Sequence, residues 1–169
     1  MSHPAIIVSG YHWMHEGGRT IDAATDEVLA AAHREIVLTV YRLHDWVRFS
    51  RRVLSALERG VRVTVIVDRW DIQPEPSRRA ALDLAGRYPS SLLIYSFRDP
   101  EGRGVLHAKA VAADSAIALV GSANVSEAAA LWNYEMGVLL DGEAAASVSR
   151  MLYALAASPA SESITGPTG

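Results

Sequence analysis

The stretch "LHAKAVAADSAIALVGSAN", residues 106–124, decides how this chain is read. Two apolar runs, "VLHAKAVAA" (105–113) and "AIALVGS" (116–122), are separated only by Asp114 and Ser115, which predicts two strands joined by a tight turn. Residues two apart in a strand share a face, so His107 and Lys109 project together between Val105 and Val111. A lone His on such a face reads most simply as a core histidine with its hydrogen bonds satisfied. A Lys beside it weakens that reading, because an unpaired buried ammonium is costly and two groups able to carry positive charge require an anion. Lys109 is also the only lysine among sixteen cationic residues; the others are all arginine.

The same stretch supplies further anion-binding parts. Gly121, Ser122 and Asn124 end the second strand in a small, polar turn where backbone and side-chain donors can converge on an oxyanion. Glu135, on the following predicted strand "NYEMGVLL" (133–140), is placed to accept a hydrogen bond from one nitrogen of His107 and leave the other free to attack. His, Lys, Ser and Asn around one anion, with a carboxylate behind the His, describe a nucleophilic phosphoryl-transfer site.

Outward from this stretch the chain alternates strands and helices. "AIIVSG" (5–10) is a short buried strand, followed by a loop over 11–19 and a helix capped by Thr20 and running to about Arg34. "EIVLTVY" (35–41) and "VRVTVIVD" (61–68) are strands, and between them a helix capped by Asp45 stops at Gly60. A helix over about 77–87, a strand over 91–97 and a last helix over about 143–157 complete the pattern. The fold class expected is α/β, a mixed sheet flanked by helices, in one domain over residues 1–157 with a disordered tail over 158–169.

Composition limits the function. A chain of 169 residues with half its residues hydrophobic is long enough for one well-packed core. With no cysteine, disulfides, thiolate catalysis and Cys-ligated zinc are excluded. No apolar run is long enough to span a bilayer and no signal peptide is read, so no membrane is expected and the cytoplasm is the simplest location. The net charge of −3 gives no global basic field, although Arg42, Arg48, Arg69 and Arg103 are candidates for local phosphate contacts. His12 and His15 lack a third ligand nearby, so neither metal nor cofactor is expected. With Tyr11 and Trp13 they read as lining a loop near the site or covering the sheet. Trp70 and Trp132 read as core or rim residues.

"HAKAVAAD" followed by "GSAN" resembles the HxKxxxxD…GSxN signature of the phospholipase D superfamily. His107, Lys109 and Asp114 match its first part, Gly121, Ser122 and Asn124 its second, and Glu135 stands where the family places the carboxylate that orients its histidine. The resemblance implies a phospholipase D-like fold and metal-independent cleavage of a phosphodiester through a phosphohistidine. In that chemistry Lys109, Ser122 and Asn124 hold the phosphate and Asp114 holds its turn. Superfamily sites use two copies of the motif and this chain has one, so a homodimer is expected to complete the site. A short single-motif chain resembles the nuclease branch, which makes DNA the expected substrate. "AIIVSG…GRTIDAATDEVLAAAHREIVLTVY" is also similar to phospholipase D-like subunits of bacterial phage-defence systems, which implies protein partners. The competing readings are a non-catalytic subunit that binds nucleic acid or a partner, and a phospholipid phosphodiesterase.

Overall fold

The structure is a computed structural model that describes residues 4–44, 46–124 and 133–165. Among the described residues nine strands form a single sheet. β1 (Ala5–Val8), β2 (Arg19–Thr20), β3 (Glu35–Val40), β4 (Arg62–Asp68) and β5 (Leu92–Phe97) come first. β6 (Lys109–Ala113), β7 (Ile117–Gly121), β8 (Met136–Asp141) and β9 (Ser161–Ser163) follow. Their order across the sheet is β2-β1-β8-β7-β6-β3-β4-β5-β9. β3, β4 and β5 run parallel, joined by the crossover helices α3 (Trp46–Glu58) and α4 (Glu75–Arg87), while β6, β7 and β8 form an antiparallel meander beside them.

Patterning explains the layers. In α3 the buried residues Trp46, Phe49, Val53, Ala56 and Leu57 recur at helical spacing and form one apolar stripe. With α2 (Ile21–Ala31) and α4 they pack on one face of the sheet, against Ile36, Leu38, Val63, Val65 and Val111. On the other face α5 (Gly142–Ala156) sets Ala145, Leu152 and Ala156 against Val37, Ile66, Ala112 and Ala118. Alternate residues of β3, β4 and β6 thus serve opposite cores, and the fold class is the expected mixed sheet with helices on both faces.

Several boundaries differ from the sequence reading, each for a visible reason. α2 stops at Ala31, short of Arg34, because the N–H groups of His33, Arg34 and Glu35 donate to the Asp114 carboxylate. Residues 11–15, read as loop, form a short helix, α1 (Tyr11–His15), after Gly10 turns the chain at φ +100 and accepts from the N–H of Met14. The tail is not disordered where it is described. Ser161–Ser163 pairs with β5, the Ile164 N–H donates to the Ile94 carbonyl, and the Ile94 N–H donates to Thr165 Oγ1. The Asp45 cap lies outside the described residues, as does Trp132.

Candidate active site

The carboxyl ends of the parallel strands β3, β4 and β5 and the entry to β6 meet at one edge of the sheet, the usual location of a site in an open α/β fold. Lys109 is the first paired residue of β6 and is only 9% exposed. Its Nζ lies 2.9 Å from both Nδ1 and Nε2 of His107, so the ammonium donates to whichever ring nitrogen is unprotonated. Burial pushes the ammonium below the usual lysine value, and the Glu135 charge partly offsets this.

His107 and Lys109 do meet, but not as neighbours in a regular strand, because residues 105–108 lie outside the ladder. Side chains from the adjacent strands fasten this segment instead. The Leu106 N–H donates to Asp68 Oδ1 at 2.8 Å. Thr39 Oγ1 donates to the Ala108 carbonyl at 2.9 Å and accepts from the Ala110 N–H at 3.1 Å. The Tyr41 ring meets the imidazole of His107 edge-on at 4.6 Å. Asp68, Thr39 and Tyr41 therefore position the histidine, and the sequence reading missed all three. For Asp68 a signal was available: a carboxylate ending the buried run "VRVTVIVD" at the carboxyl end of a parallel strand.

Glu135 is not hydrogen-bonded to His107 within the chain, contrary to the expectation. Ser122 Oγ donates to its Oε2, and Asn133 Nδ2 donates to Oε1 at 3.4 Å. The reason is register. Lys109 pairs with Gly121 and Gly121 with Gly137, so β8 lies two strand spacings from β6. That is about 9–10 Å between the two backbones, and Ser122, at the end of the intervening β7, takes the Glu135 carboxylate. Glu135 acts on the site through Ser122 and through its charge at Lys109. Among the described residues Asn124 Oδ1 is enclosed without a hydrogen-bond partner, and Asn124, Gly121 and Lys109 line one recess.

Asp114 stands at the opposite end of β6. Asp114 and Ser115, with φ of +54 and +57, open the three-residue turn (114–116) to β7, and short polar side chains tolerate that conformation best. The Asp114 carboxylate accepts from three successive backbone N–H groups, of His33, Arg34 and Glu35. Burial pushes its acid upward, but those three bonds and the Arg34 charge outweigh this and hold it below the usual carboxylate value. Its position and bonds are those of a turn-holding residue.

The four arginines divide. Arg69 Nε donates to Asp68 Oδ2 at 3.0 Å, and Arg42 lies 3.9 Å from the same oxygen with its guanidinium 4.3 Å from the centre of the Tyr41 ring. Both are thus partly occupied by a buried carboxylate. Arg48 lines the recess, and Arg103 is exposed on the turn before the His107 segment, 3.5 Å from Glu101. In the aromatic group on α1, His12 stacks on Tyr134 at 6.2 Å and Trp13 meets it edge-on at 5.2 Å, covering the segment that carries Glu135. Trp70 packs partly buried against the main core. Among the described residues, no three His, Asp or Glu side chains group closely enough to hold a metal ion, and no helix is long and apolar enough to cross a membrane.

A mixed sheet presenting a histidine, an adjoining buried lysine and a Gly–Ser–x–Asn turn at one edge defines the phospholipase D class of fold and site. The family model for the "Cardiolipin synthase, PLD-like domain" matches residues 26–152, and the chain belongs to that family. It is 30% identical over 134 residues to the DISARM protein DrmC of Bacillus paralicheniformis, covering 79% of this chain and 55% of that protein. The chain thus spans about half the length of that curated relative. Among solved structures it is similar to Nuc of Salmonella typhimurium, a phospholipase D family member, with TM-score 0.75 and 18% identity over 97% of this chain and all of that one. NucT of Helicobacter pylori superposes with TM-score 0.65 and 18% identity over 90% of this chain and 93% of that one. The phosphatidylserine synthase of Haemophilus influenzae gives TM-score 0.74 and 16% identity, with 98% of this chain covering 40% of that one.

Proposed function

We propose that this chain is a metal-independent phosphodiesterase that cleaves DNA, with His107 as nucleophile. The observation that carries the reading is the nearly buried Lys109 ammonium set against the His107 ring and sharing a recess with Gly121 and Asn124. A phosphate seated at the mouth of that recess, against Lys109 and His107, neutralises the lysine, receives donors from the turn, and presents phosphorus to the imidazole. The phosphate takes over the Lys109 ammonium and frees the unprotonated ring nitrogen, which attacks; a P–N bond forms, and the P–O bond to the leaving alcohol breaks. The leaving oxygen takes a proton from an acid, and water then hydrolyses the phosphohistidine.

One chain offers one such histidine, so the acid is assigned to the partner's His107 in a two-fold homodimer. The likeness to DrmC supports a place in a multi-protein defence assembly, and the likeness in fold to Nuc and NucT is compatible with a nuclease. The test is hydrolysis of single- and double-stranded DNA in EDTA by the wild type and by His107→Ala. Cleavage that vanishes in the variant is expected. A wild type that is dimeric and folded but cuts neither DNA overturns the nuclease reading, and turnover of a phospholipid instead moves the substrate to lipid. A monomer at micromolar concentration with full activity overturns the shared site.

A further inference from the structure

Lys109, Gly121, Gly137 and Ile7 stand opposite one another across β6, β7, β8 and β1, so their side chains share the face that α2 and α3 cover. Two adjacent glycines in that row leave a depression in the sheet. The depression is enforced by packing: a Cβ on Gly137 would lie 2.8 Å from the Val120 carbonyl oxygen, and one on Gly121 would lie 3.0 Å from that of Met136. The result is a recess of about 100 Å³ with Phe49 as one wall, and Lys109 and Asn124 where it meets the phosphate site.

Its size and lining select the occupant. A volume of about 100 Å³ equals roughly three waters and falls well below the ~300 Å³ of drug-sized pockets. Being open on one side, it receives a small flat group rather than a whole drug-sized ligand. Phe49 supplies an aromatic wall, and the enclosed Asn124 Oδ1 has no hydrogen-bond donor among the described residues. A ring with an N–H or amino group on its edge suits both. We propose that this recess is a nucleobase subsite, which receives one base of the nucleotide whose phosphate sits at Lys109. The proposal deepens, and rests on, the DNA phosphodiesterase reading. A base paired in a duplex must leave its stack to enter, so the subsite makes the enzyme prefer single-stranded or unpaired DNA.

The test compares binding of deoxycytidine 5′-monophosphate with that of 2-deoxyribose 5-phosphate, which lacks the base, by calorimetry on the intact chain. Stacking of one base predicts that the wild type binds the nucleotide at least about tenfold more tightly. Thr25→Leu fills the recess from α2 and Leu38→Phe fills it from β3. Each is expected to reduce that ratio below about twofold while leaving the sugar phosphate unaffected, because neither touches the phosphate site. Equal binding by the wild type overturns the proposal, as does a ratio that survives in a folded variant. The wild-type ratio decides alone if both variants unfold. Tightening by dihexanoyl phosphatidic acid in place of the nucleotide assigns the recess to lipid and also overturns it. Failure of both phosphate ligands to bind instead brings down the phosphodiesterase reading itself.

Discussion

Asp114→Ala separates the structural part of the motif from its chemistry. The Asp114 carboxylate accepts from the His33, Arg34 and Glu35 N–H groups at 2.8, 2.9 and 2.8 Å. Discounted for their surface position, these bonds contribute about 1 kcal/mol each, or about 3 together. Alanine at φ +54 adds about 1 kcal/mol of backbone strain. A loss of about 4 kcal/mol in a chain of this size lowers Tm by roughly 8–16 °C. Asp114→Asn keeps one acceptor oxygen and tolerates the backbone, so its loss falls between wild type and Ala. The native acid is held below its ordinary value, so its stabilisation is present above the unfolded value near 3.9 and lost as pH falls through the folded one. The Tm gap between wild type and Asp114→Ala therefore narrows in acid. Thermal unfolding followed by circular dichroism from pH 3 to 7 measures both effects. Lys109 opens the five-residue β6 and Asp114 follows its end, which sets them more than about 13 Å apart, so hydrolysis per folded molecule stays unchanged. A variant with wild-type Tm that cannot hydrolyse phosphodiesters refutes the reasoning and places Asp114 in the chemistry.

Other substitutions probe the site itself. Lys109→Met is expected to abolish hydrolysis yet leave Tm unchanged or raised at neutral pH. The folded ammonium is pushed below its unfolded value, so wild-type stability rises with pH between the two and the variant loses that slope; a lower Tm in the variant contradicts this. Lys109→Arg keeps the charge but puts a broad planar group beside His107, and activity should fall by about a hundredfold or more. Asp68→Ala orphans the Leu106 N–H and loosens the His107 segment, so kcat should drop well before KM changes, with partial rescue in Asp68→Asn; equal effects of Asn and Ala would show that the hydrogen bond does not matter. Gly137→Ala forces a Cβ against the Val120 carbonyl and should cost about 1–3 kcal/mol in denaturant unfolding.

Some of this protein is written locally. Alternation of β-branched residues in "VRVTVIVD", the helical spacing of Trp46, Phe49 and Val53, and Gly60 at φ +84 are properties of neighbours in the chain, so these elements are legible by eye. The tight turn at Asp114 and Ser115 is equally local. A sequence determines such features because side-chain period and turn chemistry act over a few residues. What escaped depends on partners far along the chain. The end of α2 is decided by a carboxylate 80 residues away, the seat of His107 by Asp68 and Thr39 on other strands, and the tail by an open edge on β5. Glu135 falls just ahead of β8 rather than on it, where Ser122 at the end of the neighbouring β7 reaches its carboxylate, so it serves Ser122 instead. The recess beside Lys109 exists only because Gly121 and Gly137 fall opposite each other in register. Residues fix what each strand can be, and the order in which hydrogen bonding assembles the strands decides which side chains meet.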